Sequence, residues 1–113
     1  MTDCIFCRII AGEIPSAKVY EDEEILGFRD INPAAPVHVL FIPKKHFANL
    51  GEAAPADQAL LGRMLQVIGR EAPKLGLSEG YRVVSNCGEP AGQTVNHFHL
   101  HVLGGRDLQW PPG

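Results

Sequence analysis

Three histidines alternate with apolar residues near the end of the chain, in the segment His97-Phe98-His99-Leu100-His101. Side chains of a strand point alternately to its two faces, so the three histidines share one face and the apolar residues the other. A single histidine on a strand is usually an ordinary core or surface residue. Three in register would repel one another if all were charged. The pattern therefore indicates a metal ion, a bound anion or a catalytic set of fixed tautomers.

Two more histidines and a pair of cysteines could join this chemistry. His38 lies within an apolar run, and His46 follows the end of that run. Cys4 and Cys7 are spaced so that both sulfur atoms fall on one side of a helical turn, and two imidazoles would complete a tetrahedral zinc site. The same cysteines could instead be small buried hydrophobic residues. The residues alone leave both interpretations open.

The histidines need a scaffold, and the apolar patterning predicts one domain with five strands and two helices. Helices are predicted over residues 4–11 and about 57–72, where apolar residues recur with helical spacing. Pro73 makes the end of the second helix hard to place. Strands are predicted over residues 18–21, 25–30, 37–42, 81–85 and 97–103. The short connections favour an antiparallel α+β domain over a parallel βαβ sheet.

The bulk composition excludes several classes of protein. At 113 residues, with 45% hydrophobic and 20% charged residues, the chain fits one ordinary globular domain. No apolar run is long enough to span a bilayer, so we expect no membrane association. A net charge of −3 with scattered basic residues gives no attraction to a nucleic-acid polymer, so a phosphate-bearing ligand would be a mononucleotide. The first residues lack a signal-peptide pattern, which predicts a cytoplasmic protein with reduced thiols.

These motifs together resemble the histidine-triad superfamily, and the resemblance extends over nearly the whole chain. The closing segments, Gly104-Gly105-Arg106 and Trp110-Pro111-Pro112-Gly113, resemble the Hint branch in particular. The resemblance implies a histidine-triad fold and hydrolysis of adenosine or guanosine phosphoramidates, and of related nucleotidyl compounds, to the nucleoside monophosphate. The other matching segments include Cys4-Ile5-Phe6-Cys7, Phe28-Arg29-Asp30-Ile31, Pro36-Val37-His38, Ile42-Pro43-Lys44-Lys45-His46 and Gly80-Tyr81-Arg82-Val83-Val84.

The resemblance also implies catalytic roles for four histidines. His99 would attack the α-phosphorus and form a transient nucleotidyl-histidine, which suits a neutral imidazole because the product is labile to water. A backbone carbonyl would orient the other ring nitrogen of His99. His101 would donate a hydrogen bond to the α-phosphate. His97 and His38 complete the catalytic group, with His38 packed behind the triad.

Nucleotide contacts are implied for residues in four segments of the chain. Asp30 matches a carboxylate that accepts hydrogen bonds from the ribose, although by itself it resembles a turn residue. Asn86 matches a contact on the phosphate or sugar side but fits ordinary loop chemistry equally well. The loop residues expected to donate hydrogen bonds to phosphate are Gly92, Gln93, Thr94 and Val95. The apolar base pocket would consist of Ile5, Phe28 and Ile31, residue types that more often belong to a core.

A metal and a partner are implied as well. Superfamily members that keep both cysteines use the histidines matching His46 and His97 as the other ligands, so a structural Zn2+ on Cys4, Cys7, His46 and His97 is expected. The chemistry itself requires no metal. A homodimer is expected to join copies through the 57–72 helix and the 81–85 strand, with residues 104–113 as a tail near the partner's active site.

Two other functions remain open at this point. One is a zinc-stabilised module that binds a purine nucleotide and regulates a partner with little turnover. The other is a dinucleoside polyphosphate hydrolase, which the C-terminal Trp110-Pro111-Pro112-Gly113 segment disfavours because it resembles the Hint branch.

Overall fold

The computed structural model describes residues 3–113 and contains the antiparallel five-stranded sheet that the sequence predicts. The strands are β1 Lys18–Glu21, β2 Ile25–Arg29, β3 Val37–Pro43, β4 Tyr81–Val84 and β5 Leu100–Gly104. Their order in the sheet is β1-β2-β3-β5-β4, and every pair of neighbouring strands is antiparallel. The central strand β3 therefore lies between the β1–β2 hairpin and β5.

Two α-helices, α1 Ile5–Ile10 and α2 Gln58–Glu71, lie where the apolar patterning predicts them. Helix α1 begins after Cys4, whose sulfur accepts a hydrogen bond from the backbone N–H of Cys7 at 3.2 Å. Helix α2 passes into a 3-10 turn, because Pro73 has no N–H to continue the α-helical pattern. Gly76, in the left-handed conformation at φ 83°, closes that turn. No helix within residues 3–113 is long and apolar enough to cross a membrane.

The two helices cover opposite faces of the sheet. Helix α2 packs through Met64 and Ile68 against the face that carries Val39 and Phe41. Helix α1 packs through Phe6 and Ile9 against the other face, with Leu40 and Ile42. The alternation along β3 explains this arrangement, because successive residues of a strand point to opposite faces. The histidine side of the sheet is thus the side under α1.

The last strand begins later than the predicted 97–103 strand. Only His101 of the triad lies in β5, while His97 lies in a bend and His99 in an irregular segment before the strand. The register pairs Phe41 with Leu100, which would place Pro43 opposite residue 98. Pro43 has no N–H to donate, and its carbonyl oxygen accepts a hydrogen bond from the His97 side chain at 2.8 Å, so the strand pairing stops there. The side chains still alternate between the two faces as predicted, since Phe98 and Leu100 both pack in the core under α2.

The tail, residues 104–113, begins at the last residue of β5. It leaves the sheet at a crowded point, where a Cβ on Gly104 would lie 2.5 Å from the Leu77 side chain. The Arg82 guanidinium of β4 donates hydrogen bonds to the backbone carbonyls of Leu108 and Gln109 at 3.5 and 2.9 Å. Trp110 is 80% exposed. The tail is therefore tied to its own sheet before it presents an uncovered aromatic side chain.

Candidate functional site

His99 is held at one ring nitrogen, which leaves the other free to react. Its Nδ1 lies 2.7 Å from the backbone carbonyl oxygen of His97. A carbonyl oxygen only accepts, so Nδ1 carries the hydrogen and the lone pair resides on Nε2. The Phe6 ring packs edge-on against the His99 ring, with centroids 5.2 Å apart. The imidazole is thus fixed in orientation, and its Nε2 is a suitable nucleophile.

A chain of hydrogen bonds sets the tautomer of His101. The backbone N–H of Ala34 donates to His38 Nδ1 at 3.0 Å, so the hydrogen of a neutral His38 ring is on Nε2. His38 Nε2 lies 2.9 Å from His101 Nδ1 and donates to it. The hydrogen of His101 is therefore on Nε2. Because the centroids of the His101 and His99 rings are 5.0 Å apart, this arrangement places a ring with an N–H donor beside His99.

Burial keeps the imidazole rings of His38 and His101 neutral. It lowers the pKa of His101 to about 4, helped by the neighbouring His99 and His38, while the Asp30 carboxylate opposes the shift. The pKa of His38 is also lowered by burial, again against the effect of Asp30. The Asp30 carboxylate oxygen lies 3.5 Å from His38 Nε2. At neutral pH each ring therefore has one donor and one acceptor nitrogen, as the hydrogen-bond chain requires.

The residues predicted to contact the ribose and the base differ in how exposed their side chains are. Asp30 directly follows β2, and one of its carboxylate oxygens accepts the backbone N–H of Asn32 at 2.8 Å, as a turn residue would. Ile5 is 46% exposed and Ile31 is 90% exposed, so both side chains are accessible to a ligand. Phe28 is only 4% exposed and belongs to the α1 core. Its effect on any base pocket would therefore come through packing.

Gln93 has different contacts from those expected of a phosphate donor. Its side chain is buried, and Nε2 donates to the backbone carbonyls of Ala48 at 2.7 Å and Val95 at 3.0 Å. Its Oε1 accepts the backbone N–H of Gly88 at 2.8 Å. Both amide hydrogens are thus engaged, so in this structure the Gln93 side chain holds the loop together and offers no free hydrogen to a phosphate. The other predicted loop residues are half-buried or exposed: Asn86, Gly92, Thr94 and Val95.

The four predicted zinc ligands meet at one point, with all ligand atoms within 4.8 Å of one another. The Cys4 sulfur lies 3.4 Å from His97 Nδ1, and the Cys7 sulfur lies 3.4 Å from His46 Nδ1. The Nδ1 atoms of His46 and His97 are 3.0 Å apart. A tetrahedral zinc with bonds of about 2.0–2.3 Å would hold its ligand atoms roughly 3.3–3.8 Å apart. This group, called the Cys/His cluster below, therefore fits a four-coordinate metal ion.

The chemistry of the donors fits a cation as well as their spacing does. His97 Nε2 donates to the carbonyl oxygen of Pro43, so the Nδ1 lone pair faces the cluster. Burial, followed by the interaction with Cys4, raises the pKa of Cys7 to about 11. Two thiolates are stable at such a place when a divalent cation lies between them. The Cys/His cluster could accordingly hold Zn2+ and leave the His99 ring free.

Phe6 also belongs to this region, although its residue type predicts no role in the chemistry. Its ring contacts His97 edge-on at 5.9 Å as well as His99 at 5.2 Å. Its position between Cys4 and Cys7 on an amphipathic helix indicates burial. Spacing along a helix does not reveal which distant side chains a buried ring will meet, so its contact with the histidines had no signal in the sequence.

Comparison with known proteins gives consistent matches over almost the whole chain. A family model described as "Scavenger mRNA decapping enzyme C-term binding" matches residues 3–109. An uncharacterized HIT-like protein of Synechococcus elongatus is 56% identical over 111 residues, which cover 98% of this chain and 97% of that protein. The crystal structure of a HIT family hydrolase from Legionella pneumophila superposes with a TM-score of 0.95 at 51% identity, covering 98% of this chain and 100% of that one. A HIT family hydrolase from Clostridium thermocellum superposes with a TM-score of 0.93 at 48% identity, covering 96% of each chain.

Proposed function

This chain belongs to the histidine-triad (HIT) superfamily, and on that premise we propose that it cleaves purine nucleoside phosphoramidates and related nucleotidyl compounds to the nucleoside monophosphate. The observation that carries the proposal is the His99 ring, whose Nδ1 is held at 2.7 Å by a carbonyl while Nε2 keeps its lone pair. The solved relatives from Legionella and Clostridium are named hydrolases, which supports a hydrolytic reaction.

The proposed reaction has two displacements at the α-phosphorus. In the first, Nε2 of His99 forms a bond to phosphorus as the bond from phosphorus to the leaving amine breaks, and the amine departs with a proton from solvent. The neutral His101 donates its Nε2–H to a phosphate oxygen, where negative charge develops. In the second, water attacks the phosphorus and loses a proton to solvent, the bond to His99 breaks, and the nucleoside monophosphate leaves with a neutral imidazole restored. Asp30 would accept hydrogen bonds from the ribose hydroxyls.

Incubation with adenosine 5′-phosphoramidate tests this function directly. We expect release of AMP and ammonia by the purified protein, and loss of that release when His99 is replaced. Tight binding of the compound without product would favour the alternative of a nucleotide-binding regulatory module. A dinucleoside polyphosphate in a parallel reaction tests the other alternative, since preferential cleavage of that compound would contradict a phosphoramidase.

We propose that the Cys/His cluster holds a structural zinc ion, and we expect protein prepared without chelator to contain up to about one zinc per chain. Elemental analysis measures this content. Cys4→Ser should lower the melting temperature more than it lowers the rate, because the ion ties α1 to the sheet. Cys87→Ser is the matched control, since Cys87 is an exposed cysteine outside the cluster. A metal-free sample with native stability and full activity would exclude the structural zinc.

We also propose a homodimer, because one edge of the molecule carries an uncovered apolar surface. Helix α2 and strand β4 line a groove of about 250 Å³ at this edge. Leu65 of α2 is 55% exposed and Val83 of β4 is 36% exposed. Within residues 3–113, strand β4 is also an edge strand of the sheet, so one side of its backbone has no neighbouring strand. A second copy packed here would cover both the apolar side chains and the strand edge.

Light scattering is expected to give twice the mass of one chain at micromolar concentration, and a monomer there would refute the dimer. Leu65→Glu should shift the protein towards monomer by placing a charge in the contact, whereas Gln58→Glu, an exposed change on the same helix, should not.

Removal of residues 108–113 should leave the dimer intact but change selectivity among leaving amines, since we propose that the tail lies near the partner's active site. Unchanged selectivity would separate the tail from the site.

A further inference from the structure

His97 belongs to two sites at once. Its side chain is wholly buried in the Cys/His cluster, where Nδ1 lies 3.4 Å from the Cys4 sulfur and 3.6 Å from the Cys7 sulfur. Its backbone carbonyl oxygen accepts the hydrogen bond that orients His99, at 2.7 Å. The far side of the same ring donates to Pro43 at 2.8 Å. Any change in how this ring is held is therefore transmitted to the group that holds the candidate nucleophile.

Helix α1 provides a second physical link between the two sites. It carries Cys7, it is preceded by Cys4, and between them lies Phe6, whose ring contacts both His97 and His99. The helix has only six residues, too few to be stable through its own hydrogen bonds. Its position depends on what it packs against and on the ligands at its first turn. The position of Phe6 against His99 thus depends on the state of the Cys/His cluster.

We propose that His97 is a positioning residue that couples metal binding at the Cys/His cluster to nucleotide binding at His99, so that each ligand strengthens the binding of the other. The proposal rests on the proposed function, because it takes the nucleotide phosphate to bind at His99. A bound ion would hold His97 at Nδ1 while Pro43 holds it at Nε2, which fixes the residue whose carbonyl orients His99. Coupling between two binding sites is reciprocal by thermodynamic necessity.

The reciprocal effect is measurable without any turnover. The zinc affinity of the protein is determined by competition with a chromogenic chelator, alone and with saturating AMP. We expect AMP to tighten zinc binding by about five-fold or more. Adenosine is the matched ligand, because it lacks the phosphate that would contact His99, and it should have a much smaller effect. Cys87→Ser should show the same coupling as the unmodified protein, since Cys87 lies outside the cluster.

Nitrogen-15 NMR of histidine-labelled protein observes the link itself. Zinc should shift the His97 Nδ1 signal and slow the solvent exchange of the His99 Nδ1 hydrogen. His46→Ala removes a ligand outside the triad, so it should weaken zinc binding and, with it, the effect of zinc on His99. The coupling is overturned if no zinc binds, if zinc leaves the His99 signals unchanged, or if AMP leaves the zinc affinity unchanged. Zinc binding tightened by AMP without any phosphoramidate hydrolysis would instead contradict the proposed function and leave the coupling standing.

Discussion

His99→Ala should reduce kcat/KM for AMP release from adenosine phosphoramidate by at least about three orders of magnitude. The reason is that the proposed first step forms a bond from His99 Nε2 to phosphorus, and alanine offers no nitrogen for it. Residual hydrolysis would come from binding and polarisation of the phosphate alone. Single-turnover mixing followed by mass spectrometry should also detect a nucleotidyl group on His99, provided that its hydrolysis is slow enough to trap.

A control must separate loss of chemistry from loss of structure, because the His99 ring is only 5% exposed and packs against Phe6. The circular dichroism spectrum of His99→Ala should match that of the unmodified protein. His99→Gly offers a sharper test, since added imidazole fits the space of the missing ring and should restore part of the rate. A purified His99→Ala sample that keeps a near-native rate would show that another group is the nucleophile.

His101→Ala should lower kcat by about two to four orders of magnitude, the range typical of a positioned proton or hydrogen-bond donor. The hydrogen-bond chain from Ala34 through His38 leaves His101 with its hydrogen on Nε2, and the His101 ring lies beside that of His99. Steady-state kinetics with adenosine phosphoramidate measures the loss. His101→Gln keeps an amide donor at this position and should retain more activity than His101→Ala. Equal rates for the two variants would indicate that donation by His101 is unimportant.

The lowered pKa of His101 also makes the free energy of unfolding depend on pH. Burial lowers the pKa of His101 to about 4, below its ordinary value near 6.5, against the opposing carboxylate of Asp30. Between these two pH values His101 is protonated in the unfolded chain and neutral in the folded chain. His101 therefore has no unfavourable effect on the free energy of unfolding above about pH 6.5, and it lowers that free energy progressively as the pH falls towards 4. Denaturant unfolding across this range should show a smaller pH dependence in His101→Gln.

The sequence predicts the sheet and both helices because their apolar patterns are strong and their connections are short. It places the start of the last strand too early, since alternation continues through His97 and Phe98 while backbone pairing does not. The missing information is tertiary: Pro43 lies opposite this segment and its carbonyl is taken by a side chain. No local pattern reveals which residues face each other across a sheet.

In the candidate site, too, the residue types could be predicted from the sequence, whereas the contacts that depend on tertiary structure could not. The resemblance identified Cys4, Cys7, His46 and His97 as a group, and the structure brings their ligand atoms within 4.8 Å of one another. Gln93 shows the limit, because a polar residue in a glycine-rich loop suits ligand binding and loop shaping equally well. Its burial and its bonds to Ala48 and Val95 favour loop shaping, and they depend on how the loop folds back on the chain.

The two edges of the sheet differ in how well they resist unwanted pairing. At one edge, the β1–β2 register shifts between Lys18 and Tyr20, and a bulge next to a lysine makes an edge a poor template for another strand. At the other edge, β4 presents Tyr81 and Val83 and has no such irregularity in its pairing with β5. A solitary copy of this protein would therefore be prone to aggregation through one edge only. In the proposed dimer a second copy would cover that edge, so a substitution that breaks the β4 contact would expose it to pairing with further strands.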